Sequence, residues 1–281
     1  MTFRSLPALS TRAALALVSA LTLSFSAIPA HADDAALQAA VASPLRTPAN
    51  VARDASRHPA QTLAFFGLAP GQTVIELIPG NGWYTEILAP YLREHGQLVE
   101  AGGDPDADAE GARSGAARFK AWLDARPQMF DRVRLGVFDA GAGRFEIGPP
   151  GSADRVLTFR NVHNWAALGD DKTRAAFKAM FDVLKRGGVL GVVDHRLPAG
   201  RAQDATASTG YLHESYVIAM AESVGFKLAA RSEINANPKD HADHPNGVWA
   251  LPPTYANKDA NRAAYTAIGE SDRMTLRFVK P

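Results

Sequence analysis

The sequence predicts an α/β fold in which helices cover both faces of a doubly wound, mostly parallel sheet. One observation is that short runs of branched apolar residues alternate along the chain with segments of helical period. Another is that the first of these runs, which begins at Val74, ends in a Gly-rich turn that opens a helix. Because each helix returns the chain to the same edge of the sheet, consecutive strands are expected to be parallel.

The predicted strands are rich in Val, Ile, Leu and Phe and are bounded by Gly, Pro or Asp. The first strand contains Val74 and Ile75 side by side, as expected for a strand that is covered on both faces. In chain order, the predicted strands are residues 74–78, 96–101, 133–138, 154–159, 189–193, 227–234 and 274–279.

The predicted helices carry apolar residues three or four positions apart and end at glycine or before a turn. In one of them, Phe177, Met180 and Leu184 lie on one face, and Gly187 follows shortly after. In chain order, the predicted helices are residues 35–41, 53–66, 83–93, 112–126, 170–185 and 214–223.

The N-terminus carries the features of a secretory signal peptide over residues 1–32. Arg4 and Arg12 precede an apolar run, and Ala30-His31-Ala32 forms an A-x-A cleavage signature. A buried N-terminal helix is the alternative. With the signal peptide, we expect cleavage after Ala32 and a periplasmic or secreted mature protein.

The remaining chain divides into three predicted parts. Residues 33–52 are a leader, and residues 53–281 are one α/β domain. Within the domain, residues 235–272 form a Pro-, Asn- and His-rich insertion that is expected to act as a lid. No second apolar run is long enough to span a membrane, so no stable membrane insertion is expected.

Composition excludes several classes of function. The chain has no cysteine, which rules out disulfides, thiolate catalysis and cysteine metal sites. Removal of residues 1–32 leaves 28 basic and 29 acidic residues. This balance gives no electrostatic reason to expect nucleic acid or an anionic membrane as a partner, and the oligomeric state stays open.

The turn after the first strand is typical of a nucleotide-type site. Glu76 stands near the end of the strand, and Gly80 and Gly82 lack the side chains that would keep a ligand from the backbone. Unpaired N–H groups at the start of the following helix would face a ligand above the turn. A tight turn required only for packing is the alternative.

These motifs resemble the class I S-adenosylmethionine-dependent methyltransferases. The matching segments are Glu76 with Gly80-Asn81-Gly82, and Leu184-Lys185-Arg186-Gly187-Gly188-Val189-Leu190 before the fifth strand. The resemblance implies a Rossmann-like sheet of seven strands with an antiparallel last strand, and S-adenosylmethionine as the cofactor. Two departures concern Ile78, which replaces the first glycine of the family's turn, and Gly102, which stands where the family has its ribose-binding acid.

Several further segments are similar to a subfamily of exported bacterial predicted methyltransferases. They share a position at strand ends or in the insertion, and they are residues 79–85, 159–165, 193–196, 235–240 and 269–274. The resemblance implies cofactor contacts by residues of the turn and of the next two strand ends: Glu76, Pro79, Gly80, Asn81, Gly82, Trp83, Asp104 and Asp139.

The acceptor is expected at the ends of the fourth and fifth strands, where this fold places substrate. Asn161, His163 and His195 are the candidate catalytic residues, because an amide can orient an acceptor and an imidazole can take a proton near neutral pH. The candidate substrate contacts are Asn164, Trp165, Tyr211 and His213. The alternatives are that the asparagines cap turns, that Trp165 anchors the core and that His195 is structural.

Three functions remain open. The first is methyl transfer to a small molecule. The second is a binding protein that has kept the fold without catalysis, which is favoured by the cytosolic origin of the cofactor and by Gly102. The third is a metal-dependent hydrolase built on His163, His195, His213 and residues 240–244, although no metal ligand is assigned.

Overall fold

An eight-stranded sheet forms the centre of the structure, a computed structural model that describes residues 1–2 and 31–281, with side chains from residue 35 onward. Its strands are β1 (Thr73–Leu77), β2 (Gln97–Gly102), β3 (Arg134–Asp139), β4 (Arg144–Glu146), β5 (Ala153–Phe159), β6 (Leu184–His195), β7 (Lys227–Ser232) and β8 (Arg273–Val279). Their order across the sheet is β4-β3-β2-β1-β5-β6-β8-β7.

Strand direction confirms the predicted mostly parallel, doubly wound sheet. β3, β2, β1, β5 and β6 pair in parallel, and β8 is antiparallel to both of its neighbours, β6 and β7. The sheet has eight strands where the sequence predicts seven. The additional strand, β4, forms a hairpin with β3, and its three residues are too few to show a period.

Helices lie on both faces of the sheet. They are α1 (His31–Val41), α2 (Pro48–Val51), α3 (Asp54–Arg57), α4 (Pro59–Phe65), α5 (Thr85–Leu92), α6 (Glu110–Asp124), α7 (Pro127–Phe130), α8 (Val162–Ala166), α9 (Asp170–Val183), α10 (Glu214–Ser223) and α11 (Arg262–Ile268). A 3₁₀ turn spans Gly247–Ala250.

The helix predicted over residues 53–66 is two helices. His58 separates α3 from α4 and has a φ of 44°. Pro59, the next residue, disfavours a helical backbone at His58 and cannot donate an amide hydrogen bond. The break brings the side chains at the end of α3 to the edge of the sheet.

Two hydrophobic clusters bury the two faces of the sheet. Alternate residues of β1 belong to different clusters: Ile75 and Leu77 pack on one face and Val74 on the other. Leu37 of α1 lies in the second cluster, so the predicted leader packs against the domain. No helix within residues 31–281 has the length and apolarity needed to cross a bilayer.

The predicted signal peptide lies almost wholly outside the described residues, so its cleavage stays a prediction. The other predicted boundaries stay predictions too. What matters for the site is the edge of the sheet at which β1, β5 and β6 end. Because β8 runs antiparallel to β6, its first residue, Arg273, pairs with His195 at that same edge.

Candidate functional site

The turn after β1 places three residues in the left-handed region of the backbone. Ile78, Gly80 and Gly82 have φ angles of 49°, 61° and 74°. A left-handed backbone at a β-branched residue costs on the order of 1–3 kcal/mol, and such strain clusters at functional sites. The amide of Ile78 donates to the carbonyl of Ala101 (2.8 Å), which helps to hold this conformation. The turn therefore holds a left-handed backbone at Ile78, where the sequence has no glycine to relieve it.

The two glycines of the turn serve different purposes. A Cβ atom built on Gly80 meets no atom within 4 Å, so this residue faces open space. A Cβ atom on Gly82 would overlap the indole ring of Trp122. Asn81 is exposed and lines neither of the cavities described next. Packing against Trp122 is thus sufficient to explain Gly82, and its role in cofactor binding stays a prediction.

Two cavities adjoin the turn, and Ile78, Pro79 and Gly80 line both of them. The larger has a volume of about 730 Å³ and extends along α6, with further walls that include Glu100, Gly102, Gly103, Phe119 and Gly136. The smaller has a volume of about 270 Å³ and is walled by polar groups that include Glu76, Arg160, Asn161, His163, Asn164 and His195. Both lie within the size range of small-molecule sites or just below it.

Glu76 and Glu100 form a buried pair of acids, because β1 and β2 place them side by side in register. The hydroxyl of Thr85 donates to Glu76 (3.0 Å), and the two carboxyl groups hydrogen-bond to each other when one of them carries a proton. Burial raises the pKa of Glu76 to about 7. Burial and the adjacent charge of Glu76 raise the pKa of Glu100 well above its usual value. The pair therefore retains protons that exposed glutamates have lost.

Asp194 orients the imidazole of His163. One carboxylate oxygen lies 2.9 Å from Nδ1, and the other accepts the backbone amide of His163 (3.2 Å). A carboxylate at Nδ1 places the proton there, which leaves Nε2 as the ring nitrogen able to accept one. His163 lines the smaller cavity, so the geometry suits a general base.

His195 has a different partner, as expected for a residue that points to the opposite face of its strand from Asp194. Its Nδ1 lies 2.5 Å from the hydroxyl of Ser271, and its ring centroid is 5.2 Å from that of His163. Burial, assisted by the positive charges of Arg160 and Arg273, lowers the pKa of His195 well below its usual value. The imidazole is therefore neutral at pH 7.

Asn161 and Asn164 both line the smaller cavity, as predicted from their position after β5. The side-chain amide of Asn161 donates to the carbonyl of Leu77 (2.9 Å) and to the hydroxyl of Thr158 (3.2 Å). These bonds fix the ends of β1 and β5 relative to each other. The carbonyl oxygen of Asn161 remains as the group able to accept a hydrogen bond.

Arginine side chains surround the carboxylate of Glu270 beside the same cavity. Its oxygens lie 2.6 Å from Nε of Arg53, 3.4 Å from Nε of Arg57 and 3.1 Å from Nη1 of Arg273. Burial opposes the ionisation of Glu270, but the charges of Arg273 and Arg57 outweigh it and lower the pKa to about 2. Burial likewise lowers the pKa of Arg160 to about 10, which leaves it charged at pH 7.

Trp83 lines the smaller cavity, where the guanidinium of Arg57 lies 4.6 Å from its ring centroid. Its indole N–H donates to the carbonyl of Asn50 (2.8 Å). The side chain thus links the segment before β1 to the turn after it.

Besides Asn81 and Gly82, the two aspartates predicted to bind the cofactor lie outside both cavities. Asp104 accepts two hydrogen bonds from Arg144, both of 2.6 Å. Asp139 accepts the amide of Ala142 (2.8 Å) in the turn between β3 and β4. Each carboxylate is engaged within the protein, so the cofactor roles of both stay predictions without support from cavity geometry.

Trp165 is a correction to the predicted aromatic wall. It is 2 % exposed and packs in the core, with its ring centroid 5.3 Å from that of Phe138 and 6.1 Å from that of Phe177. Trp249 lines the cavity instead, with its ring centroid 6.2 Å from that of His163. It belongs to residues 248–254, several of which border the cavity within the predicted lid.

Tyr211 and His213 also lie away from the cavities. The hydroxyl of Tyr211 donates to both oxygens of Asp240, and Nε2 of His213 lies 2.8 Å from the carbonyl of Arg201. Asp240 further contacts Nε2 of His244 (2.9 Å). The Asp- and His-rich loop is therefore organised by internal hydrogen bonds, and it does not converge with His163.

Apart from Glu76, the charged residues of the smaller cavity were not assigned a role from the sequence. Arg53 and Arg57 precede β1, and Glu270 and Ser271 precede β8, so only tertiary structure brings them to the ends of β5 and β6. Glu270 and Ser271 fall in the subfamily motif of residues 269–274, and that motif was the available signal.

No family model and no curated protein matches the sequence. Many solved structures match the fold. The structure is similar to an S-adenosylmethionine-dependent methyltransferase from Aquifex aeolicus, with 17 % identity, a TM-score of 0.51, and coverage of 72 % of this chain and 93 % of the other. It is also similar to geranyl diphosphate C-methyltransferase from Streptomyces coelicolor A3(2), with 13 % identity, a TM-score of 0.54, and coverage of 86 % and 88 %.

The fold is that of the S-adenosylmethionine-dependent methyltransferases. The Streptomyces structure contains Mg²⁺, geranyl diphosphate and S-adenosyl-L-homocysteine. The methyltransferase fold also occurs in SpnF, a 4+2 cyclase, with 17 % identity, a TM-score of 0.53, and coverage of 81 % of this chain and 82 % of SpnF. The fold alone therefore does not determine the reaction, and the function has to be inferred from the residues of the site.

Proposed function

We propose that this protein is an S-adenosylmethionine-dependent methyltransferase that acts on a small molecule in the cell envelope. The observation that carries the proposal is the pair of cavities that share Ile78, Pro79 and Gly80 at the carboxyl edge of the sheet. In doubly wound folds this edge is where ligands bind. The envelope location rests on the predicted signal peptide and on the resemblance to exported methyltransferases.

The residues at the turn fit the cofactor. Gly80 leaves open space where a Cβ atom would project, and the larger cavity has room for a nucleoside. Glu100 lines that cavity at β2, while Asp104 lines neither cavity and is bound to Arg144. We therefore assign the ribose contact to Glu100 and the contact with the methionyl portion to Glu76 and Gly80.

The bound cofactor would supply a methyl group on a positively charged sulfur. The protein's own contribution is to position the acceptor, exclude water and accept a proton. His163 is suited to the last task, because Asp194 holds Nδ1 and leaves Nε2 free of that bond. Asn161 and Asn164 are suited to orienting the acceptor, and residues 248–254 to covering it.

Calorimetric titration with S-adenosylhomocysteine and S-adenosylmethionine tests this function. We expect one molecule bound per chain with a dissociation constant in the micromolar range, about 7–8 kcal/mol of binding free energy. An absence of heat with either compound at millimolar concentration would contradict the proposal. Adenosine, which lacks the methionyl portion, is the control for its contribution and is expected to bind more weakly.

A binding protein without methyl transfer is the second candidate, and Ile78 favours it. A relaxed cofactor turn would have glycine at that position, and the strained isoleucine side chain borders both cavities. Such a protein would bind S-adenosylhomocysteine as tightly as an enzyme does, but it would not transfer a methyl group from S-adenosylmethionine. The hydrolase hypothesis has less support, because His213 and the loop with Asp240 lie apart from His163.

A further inference from the structure

The smaller cavity carries an excess of positive charge. Arg53, Arg57 and Arg160 line it, and Arg273 lies behind them with its side chain 4 % exposed. Against these charges stands the carboxylate of Glu270, which is shared among Arg53, Arg57 and Arg273.

The other acidic groups of the site balance this charge only in part, through the carboxylate of Asp194, whose charge acts on Arg160. Asp194 is engaged by the ring and the backbone of His163, and Glu76 belongs to the buried acid pair that retains protons. His195 faces the same cavity and is neutral at pH 7.

Several guanidinium groups have donors without acceptors. Nη2 of Arg53 and Nη2 of Arg57 are buried and unpaired, and the Arg57 residue is 1 % exposed. Within the described chain, the guanidinium of Arg160 forms no hydrogen bond and no ion pair. A buried donor without a partner is costly, and a charged one more so, unless a ligand supplies the acceptor.

The backbone of Arg160 is also held in an unusual conformation. Its φ is 63°, and its amide donates to the carbonyl of Val193 (2.7 Å) at the end of β6. A positive φ is uncommon outside glycine, and strain of this kind concentrates where a side chain must be aimed. Here it fixes an arginine immediately before Asn161 and His163.

We propose that the smaller cavity binds a methyl acceptor with an anionic group, a carboxylate or a phosphate, and that Arg160 and Arg57 hold this group. The inference rests on the proposed function and adds the acceptor's chemical class. Guanidinium groups bind both anions through paired, charge-assisted hydrogen bonds. An anion would also complement the sulfonium of the cofactor.

A divalent cation is the competing occupant. His163, Asp194 and His195 bring possible ligand atoms within 4.8 Å of one another. However, Asp194 and Ser271 already engage Nδ1 of the two imidazoles, and the arginines beside them would repel a cation. The arrangement favours an anion.

The carboxylate that binds there could also be that of the cofactor's methionyl portion. We assign Arg160 to the acceptor, because it directly follows β5 and immediately precedes Asn161, at the strand end where this fold places substrate. The two sources are separated by measuring anion binding with and without saturating S-adenosylhomocysteine.

Calorimetric titration with acetate and with inorganic phosphate at low ionic strength tests the proposal. We expect millimolar binding to the natural protein, a loss of at least about tenfold in Arg160→Gln, and retention in Arg160→Lys, which keeps the charge. Arg174→Gln, on the outer face of α9, is the matched control and should bind normally. Thermal unfolding of each variant verifies that it is folded.

The outcomes separate this proposal from the function on which it rests. Binding that persists in the presence of S-adenosylhomocysteine supports an acceptor site. Binding that the nucleoside abolishes assigns the arginines to the cofactor and overturns the proposal, as does equal binding by Arg160→Gln. Anion binding without any nucleoside binding would remove the methyltransferase function while leaving the anion site.

Discussion

At pH 8, we expect Glu100→Gln to be more stable than the natural protein, with a free energy of unfolding about 2–4 kcal/mol higher. Glu100 is fully buried, no cation of the described chain pairs with it, and the acid Glu76 lies beside it. At this pH the natural protein must either bury a charge or hold a proton that the unfolded chain releases. The neutral glutamine side chain removes that requirement.

The dependence on pH follows from the direction of the shifts. The folded state raises the pKa of Glu76 to about 7 and that of Glu100 well above its usual value. Between the unfolded and folded pKa values, the folded protein binds more protons than the unfolded chain, so stability falls as pH rises. The favourable contribution is therefore complete below about pH 4 and is lost progressively toward pH 7 and above.

Urea denaturation at pH 5 and pH 8 measures this effect. The natural protein should lose stability between the two values, and Glu100→Gln should lose much less. Glu222→Gln, at an exposed site on α10, is the control and should follow the natural protein. Identical pH slopes in all three proteins would contradict the account of the acid pair. Because Glu100 is assigned to the ribose, the stabilised variant should also bind S-adenosylhomocysteine more weakly.

Gly80→Val is expected to weaken the binding of S-adenosylhomocysteine by at least about a hundredfold. The valine side chain would project into the space that both cavities share, where the backbone now lies bare. The valine side chain would keep the ligand away from the backbone, and a hundredfold loss of affinity corresponds to about 3 kcal/mol of binding free energy.

Valine at a positive φ also strains the backbone, so a control must carry the same strain elsewhere. Gly143 has a φ of 72° and an exposed place in the turn between β3 and β4, and a Cβ atom there would meet no atom within 4 Å. Gly143→Val should therefore lose similar stability and keep its affinity. Equal affinities of both variants, measured by calorimetry, would place the cofactor away from Gly80.

The sequence predicted the fold well where burial imposes a period. β1 is apolar on both faces, and the alternation of strands and helices indicated the parallel order around it. β4 was missed because three residues carry no period. The break at His58 was missed because the periodicity of residues 53–66 continues through Pro59, whose effect on the preceding backbone is local.

The predictable part of the site lies at the carboxyl ends of the strands. Gly80, Asn161 and His163 were placed correctly beside the cavities, because strand ends of a parallel sheet meet at one edge. Trp165 was not, because the side of a short helix on which a residue falls depends on how that helix packs. Arg53, Arg57 and Arg273 come from the α3 region and from the last strand, and no local pattern relates those segments. Arg160 follows β5 directly, but nothing in the local sequence distinguishes it from an exposed loop arginine.

A crystal structure of the protein with S-adenosylhomocysteine tests the central claim most directly. We predict the adenosine in the larger cavity near Glu100 and Gly102, the homocysteine portion at Gly80, and the remaining space of the smaller cavity facing Arg160. A nucleoside bound elsewhere, or both cavities closed by protein atoms while the fold is intact, would contradict the account.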